Sequence, residues 1–131
     1  MNKENYSEDR PFILAKEEGD IIFVEMGGAL NSLTLPESRK LVDEIIEYHG
    51  IYKRRNLKIL IDYKKVKSID SATIANILER LREHEKYGHK MAFVNIPKTL
   101  KDLIILHKLQ DEIVIFKSKK QALKEFKSSS Q

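Results

Sequence analysis

An aspartate followed by a serine stands at the head of a helix-forming stretch. Asp70-Ser71 precedes Ile74, Ile77, Leu78 and Leu81, apolar residues at helical spacing. Two kinds of chemistry suit that pair. A carboxylate just before a helix can accept the free amide of residue 72 or 73 and cap the helix. A serine exposed in the first turn faces free amides and the positive end of the helix dipole, so a phosphate there is favoured within the molecule. Against a partner surface the same charge repels and costs desolvation. One position can thus hold a stable modification and eject a partner. The residues alone leave both readings, cap and modifiable serine, open.

Other chemistries find less support. No Gly-x-Ser-x-Gly elbow surrounds Ser71, against a Ser-His-Asp hydrolase. The chain has no Gly-x-Gly-x-x-Gly and no Walker-type Gly-Lys-Ser; Gly27-Gly28 reads as a loop of unusual φ. His49, His84, His89 and His107 are scattered, and His84 and His89 lack the i, i+4 spacing of a helical ligand pair. His107 reads as a helix-end histidine. Absence of cysteine excludes disulfides, thiolate catalysis and cysteine zinc sites. Asp62 ends an apolar run, but Met26-Gly27-Gly28 and Asn95 at the neighbouring strand ends supply no acidic cluster for Mg²⁺. Asp62 therefore reads as a solvated strand end. Neither a metal, a cofactor nor an enzymatic activity is expected.

The elements that must position Asp70-Ser71 follow from hydrophobic patterning. Residues 1–11 read as a flexible arm, 12–127 as one domain and 128–131 as a polar tail. Phe12–Ala15 and Ile21–Met26, joined by a turn at Gly19, read as a hairpin. Gly27-Gly28 breaks the second strand. Thr34 with Glu37 forms a capping box, and Pro36 fits the first helical turn. Leu41, Val42, Ile45 and Ile46 then share a helix face with Ser38, up to Gly50. Leu57–Ile61 is a nearly continuous aliphatic strand, suited to burial on both faces and closed by Asp62. The helix after Asp70 runs to about Tyr87. Met91–Val94 is the next strand, and Pro97 opens a helix with Leu100, Leu103, Ile104 and His107 on one stripe. Ile113–Phe116 reads as a last strand, and Ser118 with Gln121 as a second capping box before Ala122, Leu123 and Phe126. The order β-β-α-β-α-β-α-β-α predicts an α/β domain: a mixed, mostly parallel sheet of about five strands with about four helices. The junctions Gly27–Thr34, Asp62–Asp70 and Asn95–Pro97 then share one end of the sheet, where sites cluster in such folds.

Bulk properties narrow the partners. Net charge is +4, from 24 basic and 20 acidic residues, too mild to argue for nucleic acid. Lys53-Arg54-Arg55 and Lys117 with Lys119-Lys120 read as solvated surface. No apolar run approaches the ~20 residues of a membrane span, and the polar Met1–Arg10 stretch has no signal-peptide h-region. A cytoplasmic monomer is expected.

The stretch Ile59-Leu60-Ile61-Asp62 through Ile69-Asp70-Ser71-Ala72-Thr73-Ile74-Ala75-Asn76-Ile77-Leu78 resembles the STAS family, the anti-sigma factor antagonists, with its Asp-Ser-Ser-Gly-Leu-Gly-x-x-Leu helix start. Gly28-Ala29-Leu30-Asn31 resembles that family's Gly-Glu-Leu-Asp loop, and the likeness covers about residues 12–126. The resemblance implies partner switching. The unmodified antagonist binds an anti-sigma factor that is itself a serine kinase, phosphorylation releases it, and a phosphatase restores the first state. Carried over, Ser71 is the phosphoacceptor, and Asn31, Asp70, Ala72, Thr73 and Ile74 form the partner contact. Ala72 and Thr73 stand where the family usually has Ser-Gly, and Asn31 where it often has Asp. An alternative within the family is a scaffold component of a stress-signalling complex.

Overall fold

Strand β1 (Phe12–Glu18) turns at Gly19 and pairs antiparallel with β2 (Ile21–Leu30). β3 (Lys58–Ile69) lies parallel to β2, and β4 (Lys90–Val94) parallel to β3. The sheet order is β1-β2-β3-β4. The helices are α1 (Leu35–Tyr48), α2 (Ser71–Glu85), α3 (Lys98–Leu106) and α4 (Lys119–Ser129), with a 3₁₀ turn at Ile51–Lys53. This computed structural model describes residues 10–129; residues 1–9 of the expected arm and 130–131 of the tail lie outside it. The result is the α/β architecture read from the sequence, with a mixed, mostly parallel sheet.

The aliphatic run of β3 is explained by layers on both sides. Ile59 and Ile61 join Ile22, Val24, Phe93, Ile74, Ile77, Leu100 and Ile104 in the larger core beneath α2 and α3. Leu60 faces the other way and packs with Ala92, Val94, Ala122 and Phe126 under α4. A strand covered on both faces needs apolar residues at successive positions rather than alternate ones.

Four expectations are corrected. The sheet has four strands, not five. Ile113–Phe116 is reduced to one parallel bridge, Phe93 with Ile115. Phe93 exchanges hydrogen bonds with Val114 and Phe116, but the flanking amides are taken: Ile113 N–H closes a turn onto the Leu109 carbonyl, and Lys117 N–H donates to Gln121 Oε1 at the head of α4. Second, Asp62 does not close its strand, because β3 keeps pairing with β2 as far as Ile69. Third, Gly27-Gly28 does not break β2. The glycines let the strand pass close under the incoming chain, where a Cβ at Gly28 (φ +78°) would collide with the Arg10 carbonyl. Arg10, placed in the arm by sequence, is held there by Glu37 at 2.6 Å. Fourth, Thr34 and Glu37 make no capping box. The Thr34 hydroxyl turns back to donate to the Ala29 carbonyl (2.6 Å), and Glu37 is engaged by Arg10. The second box is closer to expectation, since Ser118 Oγ accepts the Gln121 amide at 3.1 Å.

Candidate functional site

Because β2 and β3 are parallel, they leave the sheet at the same end. Leu30 and Ile69 are the last paired residues, so Asn31 and Asp70 emerge side by side. Asp70 has extended backbone (φ −138°, ψ −175°) and caps α2 through Oδ1, which accepts the Ala72 amide at 3.1 Å. Its other oxygen, Oδ2, accepts the Ser32 amide at 2.9 Å. One carboxylate thus caps the helix and pins the loop after β2.

That loop has its own framework. Asn31 Oδ1 accepts the amides of Leu33 (2.9 Å) and Thr34 (3.2 Å), folding residues 31–34 into a tight turn. Thr34 Oγ1 accepts the Asn31 amide at 3.1 Å. From the helix side, Thr73 is buried and its hydroxyl donates to the Leu30 carbonyl. The loop and the first turn of α2 are therefore joined twice, by Asp70 to Ser32 and by Thr73 to Leu30. Ile74 continues the anchoring below, as a member of the core.

Ser71 sits on this frame as the first residue of α2, with its side chain exposed. Ala72 is half-buried beside it. Of the residues named from sequence, Asn31, Asp70 and Ser71 meet at one surface, whereas Thr73 and Ile74 hold it from beneath. Sequence reasoning missed Ser32 and Leu33. Leu33 is 91% exposed in that loop, an apolar side chain offered to solvent one residue on from Ser32, whose amide Asp70 holds.

The third junction does not reach this surface. Asn95 Nδ2 donates to Asp62 Oδ1 at 3.1 Å, level with the end of β4. β3 runs on for seven more residues to Ile69, which separates Asp62 from Asp70 by roughly 20 Å of strand. The two aspartates cannot share a cation. No group of three or more metal-ligating side chains occurs among the described residues.

The histidines are less scattered than their spacing implied. His84, at the far end of α2, and His89, just before β4, approach to 2.9 Å between their Nδ1 atoms. His89 Nε2 lies 2.7 Å from the Arg54 carbonyl. A carbonyl only accepts, so Nε2 carries the proton of neutral His89, and its Nδ1 accepts from His84 Nδ1–H. Burial, then the His89 and Arg80 charges, push His84 down from 6.5 to about 4; burial is also the main cause that lowers His89. Two neutral rings bridging a helix to a strand explain why these residues are buried.

A family model for the STAS domain matches residues 12–122. The chain belongs to the STAS domain family. Solved structures agree on the fold of this STAS domain. A Thermotoga maritima protein assigned to the anti-sigma factor antagonists is 22% identical, with a TM-score of 0.73, covering 88% of this chain and 94% of its own. The anti-sigma factor antagonist SpoIIAA in its unphosphorylated form is 14% identical, with a TM-score of 0.68 and coverage of 89% and 97%. Bacillus SpoIIAA in its phosphorylated form is 14% identical, with a TM-score of 0.59 and coverage of 87% and 98%. No curated protein matches the chain by sequence. No helix among the described residues is long and apolar enough to cross a membrane.

Proposed function

We propose that this STAS domain is an anti-sigma factor antagonist that works by partner switching. With Ser71 unmodified, the surface of Asn31, Ser32, Leu33, Asp70, Ser71 and Ala72 binds an anti-sigma factor that is also a serine kinase. Leu33 supplies the apolar anchor, and Thr73 and Ile74 keep the helix start in register from below. Ser71 Oγ then attacks the γ-phosphorus of ATP held by the kinase, ADP leaves, and the hydroxyl proton passes to the kinase. The new phosphate meets the positive end of α2 within its own molecule, whereas in the partner contact its charge costs desolvation and repels negative charge. A phosphatase resets the cycle. In this reading the chain is a cytoplasmic binding protein without catalysis or cofactor, working as a monomer.

The observation that carries the reading is an exposed serine at the first position of α2, on a rigid double tie to the neighbouring loop. It is supported by likeness to a protein solved with and without phosphate. The test is incubation of the protein with the serine kinase of anti-sigma type from its own genome and ATP, followed by mapping of the phosphate. One phosphate at Ser71, absent from Ser71→Ala, is expected. Labelling that survives Ser71→Ala overturns the site. Absence of kinase binding together with assembly into a large particle favours the scaffold reading instead.

A further inference from the structure

β3 outruns its neighbour on one side. β4 ends at Val94, opposite Asp62, while β3 continues to Ile69 with β2 alone paired to it. Over this length β3 carries Lys64, Lys65, Val66 and Lys67. On a regular strand Lys64 would face away from Lys65 and Lys67. The pairing here is not regular. β3 has one extra residue between the Glu25–Asp62 and Gly27–Lys65 pairs, and another between Gly28–Val66 and Ala29–Ser68. Such bulges twist a strand and re-aim its side chains. All three lysines border one open hollow of about 430 Å³, together with Phe12, Gly28 and Val66. Gly28, opposite Val66, supplies no side chain to fill it.

The hollow carries positive charge. Lys65 is paired with Glu25 at 2.9 Å. The nearby Asp62 engages the Lys64 amide and Asn95 Nδ2 through Oδ1. The ammonium groups of Lys64 and Lys67 meet no carboxylate among the described residues. Being exposed, they are met by water, so what they offer a partner is charge. The hollow also adjoins the Ser71 surface. Asn31 Nδ2 donates to Ser68 Oγ at 3.5 Å, and Ile69 pairs with Leu30 just before Asp70. Lys64 lies at most about 17 Å along the strand from Ile69, and Lys67 is closer. A contact of ordinary size, about 800 Å² a side, is about 30 Å across, wide enough for Ser71 and both lysines.

We propose that this hollow takes an acidic segment of the anti-sigma kinase, with its carboxylates against Lys64 and Lys67. This contact rests on the partner-switching reading and deepens it, because it supplies the negative charge that a phosphate on Ser71 repels. Carboxylates held beside the serine are tolerated while its hydroxyl is neutral and opposed once it carries phosphate. The same lysines speed encounter, since a patch of one sign steers a partner of the other. Lysine on a lone strand edge also deters unwanted strand pairing. That role alone would leave the kinase indifferent to the sign of the charge.

The test measures association of the full chain with the anti-sigma serine kinase of its own genome at stepped ionic strength. A variant carrying Lys64→Glu and Lys67→Glu is compared with one carrying Lys124→Glu and Lys127→Glu. The second makes the same change in net charge at the other end of the sheet, where the neighbouring Glu125 and Phe126 border a groove with His89 and Lys90 at the start of β4. All four lysines are exposed, so both variants should fold. The first is expected to associate about tenfold more slowly at low ionic strength, with the gap closing as salt is added. The second should stay within about twofold of the native chain. Equal slowing in both variants, or no slowing in the first, would overturn the acidic contact and leave partner switching standing. A native chain that does not bind the kinase at any ionic strength would overturn both.

Discussion

At the N-terminal end of α2 Ser71 faces solvent, and at the C-terminal end His84 is sealed inside. Asp70 meets two backbone amides beside the exposed Ser71, at the helix end that welcomes negative charge. His84 and His89 meet each other and a carbonyl, flanked by the rings of Tyr52 and Tyr87. There a single added proton sets one N–H against another. The same helix thus tolerates new charge where the surface must change and rejects it where the fold must hold. A switch placed at the first end can be thrown without loosening the second.

The largest consequence for stability lies at the histidine end. The unfolded chain takes up a proton near pH 6.5, whereas folded His84 resists it until about pH 4. Stability is therefore lost as pH falls through this window and levels off below it. The expected loss is about 3 kcal/mol, read from urea unfolding at stepped pH. His84→Gln keeps an N–H for His89 without the titration, and its profile should be flatter over the same window; an unchanged profile would remove His84 as the cause. At the other end, Asp70→Ala forfeits the helix cap and the tie to Ser32. It should cost about 1–2 kcal/mol in the same assay, with Asp70→Asn costing less because asparagine also caps. Ser71→Asp should have the smallest effect, a gain of about 0.3–1 kcal/mol from negative charge in the first turn. A clear destabilisation by Ser71→Asp would erase the contrast between the two ends.

What was legible in the sequence was local. The Asp70 cap lies within three residues of the amide that it binds, so spacing alone reveals it. The order of strands and helices follows from runs of apolar residues, each readable by itself. What stayed hidden depends on pairs far apart in the chain. The tie from Asp70 to Ser32 spans 38 residues, and the extension of β3 past Asp62 depends on a neighbour strand from another part of the chain. The fifth strand was misread because Ile113–Phe116 has strand-like composition, while competition for its flanking amides appears only once α4 is in place. His84 and His89 are five residues apart, and no helical spacing rule joins them. They meet because Gly88 lets the chain reverse into β4 at a φ of +73°.

The most direct test of the switch separates binding from folding in a single variant. The affinity of the anti-sigma serine kinase should be measured for the native chain and for Ser71→Asp, beside the stability of each. Partner switching predicts that the variant binds at least about tenfold more weakly, from charge placed in the contact, while it remains as stable as the native chain or more so. Equal affinity for both proteins would contradict the account.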